Sequence, residues 1–275
     1  MVAKPSTFVL IGLLALPGRT TAAELKPEAL RGFEQYVRRT EERIQTELRP
    51  GETFLWVDKL PASRRQEAME QLQRGTAVVE RMQTSLAGSA IFVPGAMIHH
   101  WIGTILIPGV TLTQVLKIVQ DYDRHQEYFS PEVVRSRTLQ HEGDYFRIYL
   151  RLKRTKVVTV VFDTEHQVRY HRLDATHAYS ESRSTRLAEL EDPGEAGEHA
   201  LPPGNDHGFL WRLNSYWRFV ETREGVFVQC EAISLTRDIP TGLAWLVGAF
   251  VESVPRESLG FTLQSTRAAV YRASP

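Results

Sequence analysis

"GFLWRLNSYWRFVETREGVFVQCEAISLTRDIPTGLAWLVGAFVESVPRESL", residues 208–259, joins two alternating segments to a densely apolar run between two prolines. Period-two alternation predicts strands over Phe209–Val220 and Val226–Thr236. "TREGV" predicts a three-residue loop, Arg223-Glu224-Gly225, with Gly225 in the left-handed position. Thr222 then faces Val226. One face of the hairpin collects Trp211, Trp217, Phe219, Phe227 and Glu231, and the other Arg212, Tyr216, Arg218 and Cys230. The apolar face points inward, which sets Glu231 opposite Trp217. A buried carboxylate without a partner is costly, so Glu231 is either a satisfied structural acid or a polar contact in a mostly apolar pocket. A four-residue loop would reverse this, placing Glu231 beside Tyr216 and Arg218 on a solvated face.

The apolar run after the hairpin, from Ile239 to Val251, is about a dozen residues long, short of the roughly 20 that cross a bilayer. Thr241 is placed to cap a helix whose Leu243, Leu246, Val247 and Phe250 share one face. Pro255 stops, kinks or restarts the helix. Beyond it Leu259, Leu263, Thr266 and Val270 form a single stripe. The earlier part, Leu243 to Val251, is apolar nearly all round and so needs contact on two sides. A sheet supplies one side. The other meets a ligand, a membrane or another part of the chain.

Upstream, "MIHHWIGTILI" reads as a strand that stops at Pro108–Gly109. "TLTQVLKIVQDYDRH" reads as a helix capped by Thr111. Strands follow over Val133–Gln140, Tyr145–Leu152, Lys156–Phe162, Gln167–His171 and His177–Leu190. Runs of strands with segregated helices predict an α+β domain with an antiparallel sheet. This order resembles the helix-grip fold of the START-like superfamily, which includes polyketide cyclases and coenzyme-Q-binding proteins. The resemblance covers Pro94 to Ala273 and is strongest over residues 208–259, which are similar to exported bacterial members. It implies a curved antiparallel sheet wrapped around a long C-terminal helix and enclosing an apolar cavity. It implies no reaction, and no catalytic residue carries over.

Residues 94–275 are thus expected to form the START-like domain, behind a helical extension over 24–93. Within the extension Leu30, Phe33, Val37, Ile44 and Leu48 recur at helical spacing. "FLWV" (Phe54–Val57) reads as a short strand, and "PASRRQEAMEQLQRG" as a second helix ending at Gly75. Residues 1–23, with Lys4, an apolar run Phe8–Leu16 and small residues at Ala22–Ala23, have the layout of a secretory signal peptide. The expected location is periplasmic or secreted, or membrane-tethered if the segment stays uncleaved. Cys230 is the only cysteine, so no internal disulfide can form, which suits a bacterial periplasm.

With 33 basic and 33 acidic side chains the chain lacks the basic footprint of a nucleic-acid binder. No phosphate loop, HExxH or paired CxxC is present. His99 and His100 are adjacent on a strand and point to opposite faces. His125, His166, His171 and His177 lack metal-ligand spacing, so no metal and no cofactor is expected. Arg151, Lys153, Arg154 and Lys156 surround a turn that either is a solvated tip or touches anionic lipid head groups transiently. The expected function is binding or transport of a lipid or other hydrophobic small molecule. The expected cavity lining is Glu231, Trp211, Trp217, Tyr128, Leu243, Leu246, Val247 and Phe250. The alternatives are a cyclase- or hydrolase-type enzyme using Glu231 or a histidine as acid or base, and a ligand-free envelope interaction module. A histidine–carboxylate constellation in the cavity would favour the enzyme.

Overall fold

A computed structural model describes residues 24–155, 159–238 and 244–273, with side chains in the last span from Ser253 onward. Residues 1–23, Lys156, Leu243 and the side chains of Leu246, Val247 and Phe250 lie outside the described residues. The expectations placed on them lie there too.

The chain opens with helix α1 (Pro27–Glu47), a 3-10 turn at Trp56–Lys59 and helix α2 (Ala62–Gln73). Strands β1 (Val78–Arg81), β2 (Ser85–Leu86), β3 (Ser89–Ala90) and β4 (Ala96–Pro108) follow. Next come α3 (Leu112–Val119), the short α4 (His125–Tyr128), β5 (Val133–Glu142), β6 (Tyr145–Thr155), β7 (Thr159–Arg172) and β8 (His177–Glu191). The chain closes with β9 (His199–Ala200), β10 (Arg212–Thr222), β11 (Gly225–Arg237) and α5 (Ala244–Ala273). Thr111 caps α3 as its sequence requires, in a reciprocal box with Gln114. The helix α5 continues through Pro255 as one element.

The fold is α+β, with a curved, open antiparallel sheet and the C-terminal helix of a helix-grip arrangement. The sheet order is β1-β4-β11-β10-β8-β7-β6-β5, and β9 pairs with β8. Leu259, Leu263, Thr266 and Val270, the stripe legible in the sequence, are the buried face of α5. Gly103 on β4 allows the close crossing of α5 over the sheet. A Cβ there would lie 2.7 Å from Leu263 Cδ1 and 3.2 Å from Val79 Cγ2.

Three expectations are corrected. Phe54–Val57 is not a strand: Trp56 and Val57 enter the 3-10 turn, where the Trp56 N–H donates to Gln229 Oε1 (2.7 Å). Residues 24–93 are not wholly a helical extension, because β1 pairs with β4 as an edge strand of the main sheet. The third correction concerns register. Thr222 pairs with Gly225 across a two-residue connection, so Trp217 faces Cys230 and Tyr216 faces Glu231. The predicted loop is one residue too long, and a slip of one residue moves every side chain to the opposite face.

Glu231 therefore shares its face with Tyr216 and Arg218, and that face is buried. The extension covers it. Phe33, Tyr36, Val37 and Ile44 of α1 pack with Tyr216, Ile233 and Leu235. Leu55, Val57 and Leu72 pack with Leu106 and Phe227. The molecule thus has three layers: extension, sheet, and α5 with α3. This explains why β4 and β11 are buried along almost their whole length. With both faces covered, such strands lose the clean alternation that marks a half-solvated sheet.

Candidate ligand cavity

On the face opposite the extension, the sheet and α5 enclose a cavity of about 320 Å³. That lies at the small end of ordinary small-molecule sites, about 300–1,000 Å³. Its floor is formed by Ser180, Ser182, Ser215, Trp217, Cys230 and Ala232 from β8, β10 and β11. Strand pairing lines these side chains up, since Trp217 faces both Ser180 and Cys230, and Ser215 faces both Ser182 and Ala232. Val254, Pro255, Ser258 and Leu259 of α5 form the roof. One end is closed by Val119, Tyr122, His125 and Phe129, which α3 and α4 place against β6 and β7. Half-exposed Phe209 and the partly exposed Arg154 and Glu132 complete the described lining.

The polar groups on this wall are few and mostly neutral. Tyr122 donates to the Tyr170 hydroxyl (2.8 Å), which in turn donates to the Val119 carbonyl (3.2 Å). The Thr164 hydroxyl donates to the Leu150 carbonyl (2.9 Å), so at 3.0 Å it accepts from His166 Nε2. By the same reasoning Thr236 donates to the Arg237 carbonyl and accepts from His99 Nε2 (3.0 Å). His125 Nε2 donates to the Val119 carbonyl (3.2 Å). Burial pulls His125 and His166 down from 6.5 to about 4, so both rings are neutral at neutral pH. Burial also pushes the Cys230 thiol far up, leaving it a small apolar wall atom with no nucleophilic thiolate. Glu132 and Arg154, the two charged residues of the described lining, form an ion pair with each other.

Of the residues read from the sequence, Trp217 borders the cavity. Trp211 instead packs in the extension-facing cluster and donates from Nε1 to Asp206 (2.9 Å). Tyr128 is buried away from the cavity lining, and its hydroxyl donates to Asp121 (2.7 Å). Glu231 is not in the cavity and lies in the seam beneath the extension. There the Thr84 N–H donates to the Tyr36 hydroxyl (2.8 Å), which donates to His100 Nδ1 (2.8 Å), and His100 Nε2 donates to Glu231 Oε1 (2.6 Å). Arg43 of α1 pairs with the same carboxylate and with Glu47. Glu47 also accepts from Lys59 (2.6 Å) and from the buried Arg218. The histidine–carboxylate pair that would favour an enzyme therefore sits on the wrong face for the cavity. Among the described residues no cluster of His, Cys, Asp or Glu could hold a metal ion.

The sequence reading missed the cavity histidines and the Tyr122–Tyr170 pair. The signal was there in β7. Thr164, His166, Val168 and Tyr170 alternate with polar Glu165, Gln167 and Arg169, and the four are buried while Gln167 and Arg169 are exposed.

No family model and no curated protein matches the chain. Among solved structures, the chain is similar to a STAR-related lipid transfer protein from Xanthomonas axonopodis, at 16% identity and a TM-score of 0.46, covering 70% of this chain and 98% of that one. It is similar to human STARD10 at 8% identity and a TM-score of 0.44, covering 78% and 82%. Similarity extends to the Zhui aromatase/cyclase from Streptomyces sp. R1128, at 12% identity and a TM-score of 0.39, covering 64% and 95%.

Proposed function

We propose that the protein binds a lipid or another hydrophobic small molecule in the cavity between sheet and α5, as a carrier or sensor without chemistry of its own. The observation that carries this reading is the described wall itself: apolar side chains and neutral hydrogen-bonding groups, with its two charges paired to each other. Removal of apolar surface from water would supply most of the affinity, at roughly 25 cal/mol per Å². The test is saturable binding of the neutral fluorophore N-phenylnaphthylamine, together with Ser215→Trp, which fills the floor. Ser215→Trp should abolish saturable binding while the melting temperature holds. Binding that survives Ser215→Trp unchanged would place the fluorophore elsewhere.

We further propose that the protein works in a bacterial envelope, on the layout of residues 1–23 and the absence of any second cysteine. Among the described residues no helix is long and apolar enough to cross a membrane. N-terminal sequencing should find a mature chain beginning near Ala23 or Glu24 in the soluble envelope fraction. An intact Met1 in the cytoplasmic fraction would refute export.

A further inference from the structure

One side chain of the cavity wall, His166, bears on the chemical class of the occupant; it is 4% exposed and borders the cavity. Its two ring nitrogens are in different situations. Nε2 faces the Thr164 hydroxyl at 3.0 Å, and that hydroxyl has already given its hydrogen to the Leu150 carbonyl at 2.9 Å. Thr164 can therefore only accept, so the proton of the ring sits on Nε2. A ring kept neutral by burial then carries a bare lone pair on Nδ1. No described residue donates to that nitrogen. The neighbours along the wall are apolar: Ile148 pairs with His166 on the adjacent strand, and Leu150, Phe162 and Val168 border the same cavity. A ligand donor that reaches this acceptor in such surroundings gains a hydrogen bond that the wall itself does not supply.

Charge narrows the choice of donor. An anionic head group needs an unpaired cation on the wall, and the guanidinium of the described lining, Arg154, is held by Glu132. A cationic head group needs a free carboxylate, and among the described residues Glu132 is the only carboxylate bordering the cavity. We propose that the cavity takes an uncharged hydrophobic molecule bearing a hydroxyl or another neutral hydrogen-bond donor, which it gives to Nδ1 of His166. This rests on the cavity being a binding site at all, as proposed above. His166 selects the ligand by its polar group, and the surrounding apolar wall holds the rest of the molecule.

The experiment is displacement of N-phenylnaphthylamine by three ligands with one chain: dodecanol, its methyl ether and dodecanoate. The intact protein should bind the alcohol about tenfold more tightly than the ether, the usual worth of one buried hydrogen bond, and bind dodecanoate more weakly than the alcohol. His166→Phe should abolish the preference for alcohol over ether while ether binding persists. Imidazole nitrogen chemical shifts of the unsubstituted protein give a second measurement that needs no folded variant. Nε2 of His166 should appear protonated, and Nδ1 should shift with dodecanol and stay put with the ether. Equal binding of alcohol and ether, a preference that survives His166→Phe, tighter binding of dodecanoate, or an Nδ1 indifferent to the alcohol would each overturn the proposal. Failure of the intact protein to bind N-phenylnaphthylamine at all would instead remove the cavity reading beneath it.

Discussion

Glu231 shows how much one residue's surroundings decide. Burial alone would push its carboxyl up, but the hydrogen bond from His100 and the charges of Arg43 and Arg218 outweigh it and hold the group below its ordinary range. Glu47, buried beside Lys59, Arg218 and Arg43, is likewise held down, at about 2. A carboxyl with a depressed folded pKa stabilises the protein above its unfolded pKa and loses that contribution as pH falls toward the folded value. The neutral buried histidines act in the same direction over a higher window. Between 6.5 and about 4 the unfolded chain takes up protons that His125 and His166 refuse. Stability should thus change little just above pH 6.5, fall toward pH 4 as histidines protonate in the unfolded state, and fall again below 4.5 through Glu47 and Glu231. Urea titrations at a series of pH values would trace both steps, and Glu47→Gln should shrink the lower one while leaving the upper one unchanged. Glu231→Gln removes the charge that Arg43 and His100 serve, and should cost about 3 kcal/mol while leaving N-phenylnaphthylamine affinity unchanged. A variant with normal stability and altered affinity would return Glu231 to the cavity.

At the scale of elements, the crossing of α5 over β4 depends on what is missing at Gly103. Leu263, Val79 and Leu259 converge on the space its side chain would take. Gly103→Val should cost about 2–3 kcal/mol by overpacking. Leu263→Ala, which alone leaves a hole, should be less harmful in the Gly103→Val background than in the native one. Additive losses in a denaturant double-mutant cycle would mean that the two positions do not meet. The elements themselves were largely legible: the strand ending at Pro108, the Thr111 cap, β5, β6, β8 and the Leu259–Val270 stripe follow from period and capping. Lys156–Phe162 and Gln167–His171, two strands by pattern, are corrected by the single strand β7 that runs from Thr159 to Arg172. The candidate site was less so, because it depends on register. "TREGV" suits a two-residue connection as well as a three-residue one, and only the pairing of Thr222 with Gly225 settles which face Trp217 and Glu231 take. Nor could alternation reveal which face was inward, since the extension buries the second face too. Tyr216, Arg218 and Glu231 look like a solvated row until α1 lies across them.

The whole molecule is therefore one sheet serving two interfaces, with adjacent residues of the same strands assigned to each. Trp217 borders the cavity while Tyr216 donates to Glu41 of α1 (2.6 Å); Cys230 borders the cavity while Glu231 meets Arg43. On this view the extension completes the domain. Without it Leu106, Phe227, Ile233 and Leu235 would form an exposed apolar patch of a kind that folded monomers seldom carry. Arg218 and Glu231, each about 1% exposed, would meanwhile lose their partners on α1. A chain shortened to begin at Thr76 keeps every strand of the sheet, the cavity lining and α5, so contacts within the ligand side predict that it folds and binds. The two-interface account predicts the opposite: the shortened chain should aggregate, lack a cooperative melt and lose saturable N-phenylnaphthylamine binding. Supplying residues 24–75 as a separate polypeptide should restore the melt and the binding together, because the seam is built from contacts that need no covalent link. Size-exclusion chromatography and thermal denaturation of both preparations would decide it. A monomeric shortened chain with the melting temperature of the full protein would show that the sheet is stable by itself and that the extension is only docked upon it.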